Sequence, residues 1–409
     1  MSDDSEDDTD YSSAAEETCA TPPLHEAIRN NERYFIEKLF QYKFVQDINA
    51  TDKNGYTALH VAVLEKNIKV TTILIEHGAK VNLESYEDKL LPEIDALVDR
   101  GSYIIDNDDK ERYVSLTPLH IAALTGSKNI VKLLIKHGAD VNKENYEYIK
   151  PIHCAIDSGS VEIVSIIQKN GGGGFSWRIC RHSHKFSEKI FCYAGTYGKV
   201  DILKHFIKKG IKCGSALLKA ARNGFEETVR LLVQSGVDVD YTDNEDDRAI
   251  HAASFFGHLN IIRILIDNGA KIDENSSKWQ SPLAIASSEG HYEVANILLQ
   301  NGANVNFVEG EIRRTALQES LENGHLNIAE LLMCYGANVD HQDFFDHTLL
   351  HSALEYDDRF RRFGSIRALL INGANTEIRN GFGNTPLESA MTFGPEAFKT
   401  FLHCKHSLP

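Results

Sequence analysis

One spacing constrains this chain more than any other feature: a short pattern returns about every 33 residues. Its fullest copy reads Leu116-Thr117-Pro118-Leu119-His120-Ile121-Ala122-Ala123-Leu124-Thr125-Gly126. It continues Asn129-Ile130-Val131-Lys132-Leu133-Leu134-Ile135-Lys136-His137-Gly138-Ala139-Asp140-Val141-Asn142. The position of the Thr can be followed through Pro22, Thr57, Thr117, Lys150, Lys189, Ser215, Arg248, Ser281, Thr315, Thr348 and Thr385. Five of the ten steps are 33 or 34, which places eleven units over roughly residues 20–403. A length of 409 residues would otherwise suggest two or three globular domains. A repeat array escapes that limit, because each unit packs only on its neighbours.

The chemistry inside one unit says what it folds into. Thr or Ser before Pro-Leu puts a capping hydroxyl at a helix start, with Pro at the first position, where no N–H is needed. Apolar and Ala positions then recur at helical spacing, and small residues such as Ala62, Ala122 and Ala252 let neighbouring helices approach. A second helix carries the stripe Ile130, Val131, Leu133 and Leu134. Gly-Ala, as in Gly78-Ala79 and Gly269-Ala270, ends it, since Gly accepts the left-handed conformation. Val-Asn or Ile-Asp then leads into a hairpin finger.

Thr-Pro-Leu-His, the Leu-Leu pair and Gly-Ala-Asp-Val-Asn closely resemble the ankyrin repeat. The resemblance implies an all-α solenoid of stacked helix-turn-helix units with β-hairpin fingers, and a chain that binds other proteins rather than catalysing a reaction. The organisation expected is an acidic tail at 1–20, repeats at 21–82, an acidic insertion at 83–115 and repeats at 116–170. A Gly-rich and basic break follows at 171–185, then repeats at 186–403 and a short tail at 404–409. The insertion holds ten acids and four bases, and its centre, Leu90 to Val98, has helical character. The units at Lys189 and Ser215 have lost the Thr-Pro-Leu-His signature. They read Lys189-Ile190-Phe191-Cys192 and Ser215-Ala216-Leu217-Leu218, with no room for a finger between Ile211 and Ser215.

Composition excludes several function classes. No apolar run approaches the ~18 residues of a membrane span, so no membrane insertion is expected. The N-terminus lacks the apolar segment of a secretory signal. Seven scattered Cys form no disulfide framework. They read as reduced thiols, pointing to the cytoplasm or nucleus. The formal charge is −16, and eight of the acids lie in residues 1–20 with no Lys or Arg. Such a balance disfavours nucleic acid as a partner. Residues 176–212 run the other way, with nine Lys or Arg against two acids. Lys204, Lys208, Lys209 and Lys212 among them read as a solvated helix end. The chain is expected to be a monomer.

Candidate chemistry is sparse. His25, His60, His120, His153, His251 and His351 recur at the pattern's fourth position. In this family that His hydrogen-bonds within and between repeats, and copies in separate units are too far apart to share a metal at ~2 Å. Cys180, His182, His184 and Cys192 are metal-ligand types without a zinc spacing, so they read as a loop with one buried Cys. The run Gly171–Gly174 lacks the Gly-Lys-Ser/Thr of a phosphate loop. No catalytic residue, cofactor or metal is assigned.

The resemblance does imply a partner surface, formed by residues just before the Thr position and those seven and eight after it. The aromatic and Arg residues there are Tyr113, Tyr197, Arg222, Phe255, Phe256, Arg314, Phe344, Phe345 and Tyr356, with Tyr56, Leu116, Leu124, Phe382 and Phe393 in the same register. Aromatics and Arg are enriched at binding hot spots. Asn142, with Leu134 eight residues earlier and Asp140 two earlier, resembles the context in which ankyrin Asn residues are hydroxylated. Ser5, followed by Glu6, Asp7 and Asp8, suits an acidophilic kinase. The function expected is a scaffold or adaptor that holds a protein segment in the ankyrin groove. The alternative is the substrate-recognition subunit of a ubiquitin ligase, for which the stretch from Phe401 to Pro409 is too short to hold an appended box.

Overall fold

The computed structural model describes residues 23–85, 115–145, 148–172, 186–243, 246–274, 281–308, 310, 313–356 and 358–406, without the side chains of 186–189 and 359. The chain divides into two compact units, residues 1–176 and 177–409. In the first, the described helices pair as Pro23–Arg29 with Arg33–Gln41, Ala58–Leu64 with Ile68–Glu76, Pro118–Leu124 with Lys128–Lys136, and Pro151–Asp157 with Val161–Lys169. In the second, the first three pairs are Phe186–Thr196 with Val200–Ile207, Gly214–Arg222 with Glu226–Gln234, and Ala249–Phe255 with Leu259–Asp267. Four more follow: Pro282–Ser288 with Tyr292–Gln300, Ala316–Glu322 with Leu326–Cys334, Leu349–Leu354 with Arg359–Ile371, and Pro386–Phe393 with Pro395–His406. Within a pair the two helices pack together, and within each unit the first, inner helices stack on one another. The result is an all-α repeat stack. Among the described residues the finger bases add only isolated antiparallel bridges, Thr51 to Thr57 and Gln342 to Thr348.

Local sequence explains each boundary. Thr117 Oγ1 accepts the His120 N–H at 3.5 Å, and Pro118 opens the helix. All seven residues of Pro118–Leu124 are buried, because the inner helix is covered by its own partner and by the pairs on either side. The outer helix buries only a stripe, Ile130, Val131 and Leu134, and leaves Leu133 half-buried. It ends where Gly138, at φ 87°, lets Ala139 N–H turn back to the Leu134 carbonyl at 3.0 Å.

The recurring histidine ties these parts together. Thr57 N–H and Oγ1 both meet His60 Nδ1, at 3.2 and 2.8 Å. An acceptor Nδ1 leaves the proton on Nε2, which donates to the Leu116 carbonyl of the following pair at 3.0 Å. His120 repeats the arrangement with Thr117 and the Ile149 carbonyl, and His351 with Thr348 and the Asn384 carbonyl. His25 reaches the Tyr56 carbonyl at 2.9 Å, and His251 the Glu274 carbonyl at 2.8 Å. In His153, Nδ1 accepts from Lys150 N–H at 2.8 Å. The six histidines are thus placed as structural braces within and between repeats.

Several departures follow from missing fingers and altered lengths. The positions Lys189 and Ser215 fall inside helices that begin earlier, at Phe186 and Gly214; for Gly214 the reason is that no finger interrupts the chain between Ile211 and Ser215. The wide step from Thr348 to Thr385 is taken up by a 13-residue outer helix, against nine in Lys128–Lys136. The closing helix runs to His406, past the expected boundary at 403, because Phe401 and Cys404 are buried. The possible helix at Leu90 to Val98 lies outside the described residues.

Two measurements check this account. Between an inner helix and its outer partner the chain turns through a left-handed residue, Gly at 126, 159, 224 and 257 but Lys at 66, with φ 55°. A side chain in that conformation costs about 1 kcal/mol. Lys66→Gly should therefore raise the unfolding free energy by about that amount, and a loss of stability would contradict it. The second concerns pH. Burial holds His60, His120 and His251 down to about 4. The unfolded chain takes up these protons near pH 6.5, so between pH 6.5 and 4 it binds more protons than the folded chain. Stability should fall as pH drops through that window. His120→Ala should cost about 2–4 kcal/mol, since it strands the buried Thr117 N–H and leaves a void, and it should flatten part of the pH dependence.

Candidate functional site

The fingers display side chains because an Asp or Asn at the finger base, as at Asp343 and Asn380, satisfies the turn from within. Asp343 Oδ1 accepts the N–H groups of Phe345 and His347 at 2.8 and 2.9 Å. Asn380 Oδ1 does the same for Phe382 and Asn384 at 3.1 and 3.0 Å. The residues between are thereby held at the tip with their side chains outward. Successive tips also bond to each other, Gly381 N–H donating to the Phe345 carbonyl at 3.0 Å. A Cβ at Gly381 would sit 2.8 Å from that oxygen, so only glycine permits the approach.

These tips carry aromatic rings. Phe344, Phe345 and Phe382 are 64%, 56% and 77% exposed. Phe344 and Phe345 lie edge to face at 5.4 Å, Phe345 is 6.3 Å from the His347 ring, and His347 is 6.0 Å from Phe382. Two adjacent fingers thus present one continuous row of rings.

A second cluster forms at the ends of inner helices. Phe255 and Phe256 meet edge to face at 4.9 Å, with Phe256 exposed and Phe255 half-buried, and Phe256 stacks on His258 at 6.0 Å. His258 Nε2 reaches back to the Arg222 carbonyl at 3.1 Å, and the exposed Arg222 guanidinium lies 3.5 Å from Asp247 in the next finger. Arg222, Phe255 and Phe256 are therefore brought together. Tyr197 is half-buried one pair earlier, its ring 4.6 Å from Tyr193.

Other expected positions face inward or are engaged. Tyr56, Leu116 and Leu124 are buried, against the expectation that this register leaves the core free. For Tyr56 and Leu116 the place beneath the finger explains it, since their carbonyls are the targets of His25 and His60, and Leu124 ends an inner helix that is buried throughout. Tyr356 is buried too, its ring faced by the Arg361 guanidinium at 4.1 Å. Burial, with the Glu322 carboxylate second, pushes its hydroxyl pKa up. Arg314 is held by Glu319 at 3.1 Å and Glu322 at 2.8 Å. Phe393 is half exposed on the last inner helix. Tyr113 and Ser5 lie outside the described residues. So do Cys180, His182 and His184, whereas Cys192 packs against Cys213 and Ser215. Among the described residues no group of three or more His, Cys, Asp or Glu is placed to hold a metal. None of the described helices is long and apolar enough to cross a membrane.

The basic band is in part structural. Lys212 Nζ donates to the Gly236 carbonyl at 3.2 Å at the end of an outer helix, and Lys209 lies over the Phe206 ring. Asn142 is also in use. Its amide donates to the Gly171 carbonyl at 3.0 Å, and its N–H goes to Asp140 at 2.8 Å. Asn82 and Asn306 make the same strut to Gly138 and Gly336.

One set of residues has a sequence signal that the fourth-position pattern does not cover. His258, His291 and His325 each begin an outer helix and donate back to the carbonyls of Arg222, Phe255 and Ser288 at 2.9–3.1 Å. The dipeptide Gly-His, repeated at 257, 290 and 324, marks them.

Comparison with known proteins agrees with this geometry. The family model for ankyrin repeats (3 copies) matches residues 7–85, 91–173, 191–276 and 271–343. A putative palmitoyltransferase of Danio rerio is 30% identical over 130 residues, covering 29% of this chain and 20% of that protein. A transient receptor potential cation channel, subfamily A member 1, of Drosophila melanogaster is 26% identical over 137 residues, 29% of this chain and 11% of its own. The probable 26S proteasome regulatory subunit p28 of Saccharomyces cerevisiae is 28% identical over 129 residues, 29% of this chain and 55% of its own. The chain thus spans from about a tenth to about half of the length of these relatives. By name they are a transferase, a channel and a proteasome subunit, so the likeness follows the repeat and not one activity. Ankyrin repeats generally mediate binding between proteins, and with the family model matching well over half of its length this chain belongs to the ankyrin-repeat family.

Proposed function

We propose that the chain is a protein-binding scaffold or adaptor, whose partner lies across the fingers and inner-helix ends of the unit at 177–409. The exposed row of Phe344, Phe345 and Phe382 carries this reading. Its rings are held by finger turns that gain nothing from aromatic side chains, so their cost in exposed apolar surface is offset only by a partner. Phe256 and Phe255, with Arg222 beside them, form a second contact at the inner-helix ends, and Tyr197 extends it. Arg314, already fixed by two carboxylates, offers a preset guanidinium edge. Tyr356 supports the surface from below and does not touch the partner. Tyr113 is proposed as a separate contact for a partner, apart from the unit at 177–409. The partner is an extended protein segment with apolar side chains, bound by one monomer.

Replacing Phe344, Phe345 and Phe382 together with Ser tests the proposal. Each ring at a hot spot is worth about 2 kcal/mol, so the triple variant should weaken capture of its partner by 30-fold or more. Far-UV circular dichroism should not change. Unchanged capture by a folded variant would defeat the reading, and ubiquitin-ligase components among the captured proteins would assign the adaptor role to a ligase.

Modification is proposed at two places, Asn142 by hydroxylation and Ser5 by phosphorylation. Because the Asn142 amide spans to Gly171, an enzyme must first free that finger. Mass spectrometry of protein from animal cells should find one added oxygen on the peptide holding Asn142. Deleting the Gly171 side of the strut should raise the modified fraction, and an Asn142 peptide without added oxygen in both forms would refute the proposal.

A further inference from the structure

The junction between the pairs beginning at Phe186 and Gly214 is built differently from those with the imidazole brace. Cys192 stands at the register position that His60, His120 and His351 occupy elsewhere. It is buried, and its Sγ lies 2.9 Å from Cys213 Sγ and 2.6 Å from Ser215 Oγ. Cys213 Sγ is 3.3 Å from the same hydroxyl. The two inner helices are brought this close by their neighbours in sequence. Three residues after Cys192, a Cβ on Gly195 would fall 2.8 Å from the Cβ of Ala216, itself three residues after Cys213. Gly214 is clamped as well, since a Cβ there would enter the Tyr241 ring. The backbone on both sides of the thiol pair is therefore fixed by close contacts.

The two thiols are not equivalent. Cys192 is closed off, while Cys213 is half-exposed and is the N-cap of the nine-residue helix Gly214–Arg222. The hydrogen bond from Cys192, together with those from Ser215 and the N–H of Ala216, lowers the Cys213 pKa to about 6. A thiolate is the nucleophile in cysteine chemistry, and it is most available where it is both stabilised and accessible. The geometry thus supplies an attacking sulfur at the surface and a resolving sulfur behind it.

We propose that Cys192 and Cys213 form a reversible disulfide, written by a peroxide-class oxidant, that replaces the missing imidazole brace at this junction with a covalent one. The Cys213 thiolate attacks one peroxide oxygen and the O–O bond breaks, giving a sulfenic acid and releasing water once a proton is taken up. Cys192 Sγ then attacks Cys213 Sγ, the S–O bond breaks, and the second water leaves with the Cys192 proton. Two thiols and one peroxide become one disulfide and two waters. A disulfide needs its sulfurs at about 2.05 Å, so the two must close from the present 2.9 Å.

The test uses the full chain treated with a small excess of hydrogen peroxide. Non-reducing peptide mapping should find a cross-linked peptide containing Cys192 and Cys213, two thiols should be lost per molecule, and dithiothreitol should restore both. The linkage closes a short loop between adjacent inner helices. Amide exchange in Phe186–Thr196 and Gly214–Arg222 should therefore slow on the order of 100-fold after oxidation. Cys213→Ser, a conservative change at a half-exposed site, should abolish both the link and the slowing, while Cys334→Ser should leave them. Oxidation of Cys213 to sulfinic acid without a link, pairing of either residue with Cys180, or a link without slower exchange would overturn the proposal.

Discussion

Much of this structure depends on a neutral imidazole held between two repeats. Its Nδ1 takes the N–H at the start of its own inner helix, and its Nε2 donates to a carbonyl of the next pair. That carbonyl has a second task. The Tyr56, Leu116, Ile149 and Asn384 oxygens also accept the N–H that closes their own finger, at 2.9–3.0 Å. One ring therefore fixes a helix start, a finger and the spacing between repeats together. Such a ring must be buried to be effective, and burial is also what keeps it uncharged. A protonated imidazole would have no acceptor to offer the helix N–H, so charge and fold exclude each other at this position.

With the interior braced this way, the fingers carry few packing duties. Their turns are satisfied by the base Asp or Asn, and their mutual spacing by struts such as Asn306 to Gly336 and Asn338 N–H to Asn306. The tip side chains are then free of structural work. This is the physical reason that recognition and stability separate in such a stack. Phe344 and Phe382 are exposed on finger tips, while Tyr356, beyond the inner helix Leu349–Leu354, is absorbed by Arg361 and the interior.

The period, the helix starts and the Gly-ended outer helices were legible in the residues, because they follow from capping and backbone rules that act within a few positions. The near half of the brace was legible as well, since Thr-Pro-Leu-His carries both the ring and the helix start that its Nδ1 serves. What escaped were properties set by the neighbouring repeat. Tyr56 and Leu116 look like surface positions within their own unit, and only the preceding histidine and the stacked inner helix bury them. The backward bonds of His258, His291 and His325 also run between repeats, as does the Arg222 contact with Asp247. The early start at Gly214 comes from the absence of a finger, for which register alone has no rule.

Nearest-neighbour packing also explains how the chain tolerates its irregular junctions. In a stack whose stability is a sum of local and interface terms, losing one brace weakens one interface and leaves the others intact. The substitutions at the fourth position show different solutions. Glu388 takes the Thr385 N–H with a carboxylate at 2.8 Å, enough to cap the helix, and no further helix pair follows it among the described residues. Ala284 forgoes the brace and relies on the Ser281 hydroxyl for the cap. Cys192 keeps a polar contact across the junction but exchanges a ring that spans it for sulfurs in direct touch. A thiol is shorter than an imidazole, so a sulfur contact across the junction calls for a close approach of the backbone. Gly195 against Ala216 is the pair of small residues that makes this possible. The sulfur contact and the glycine contact at that junction therefore stand together where the histidine is lost.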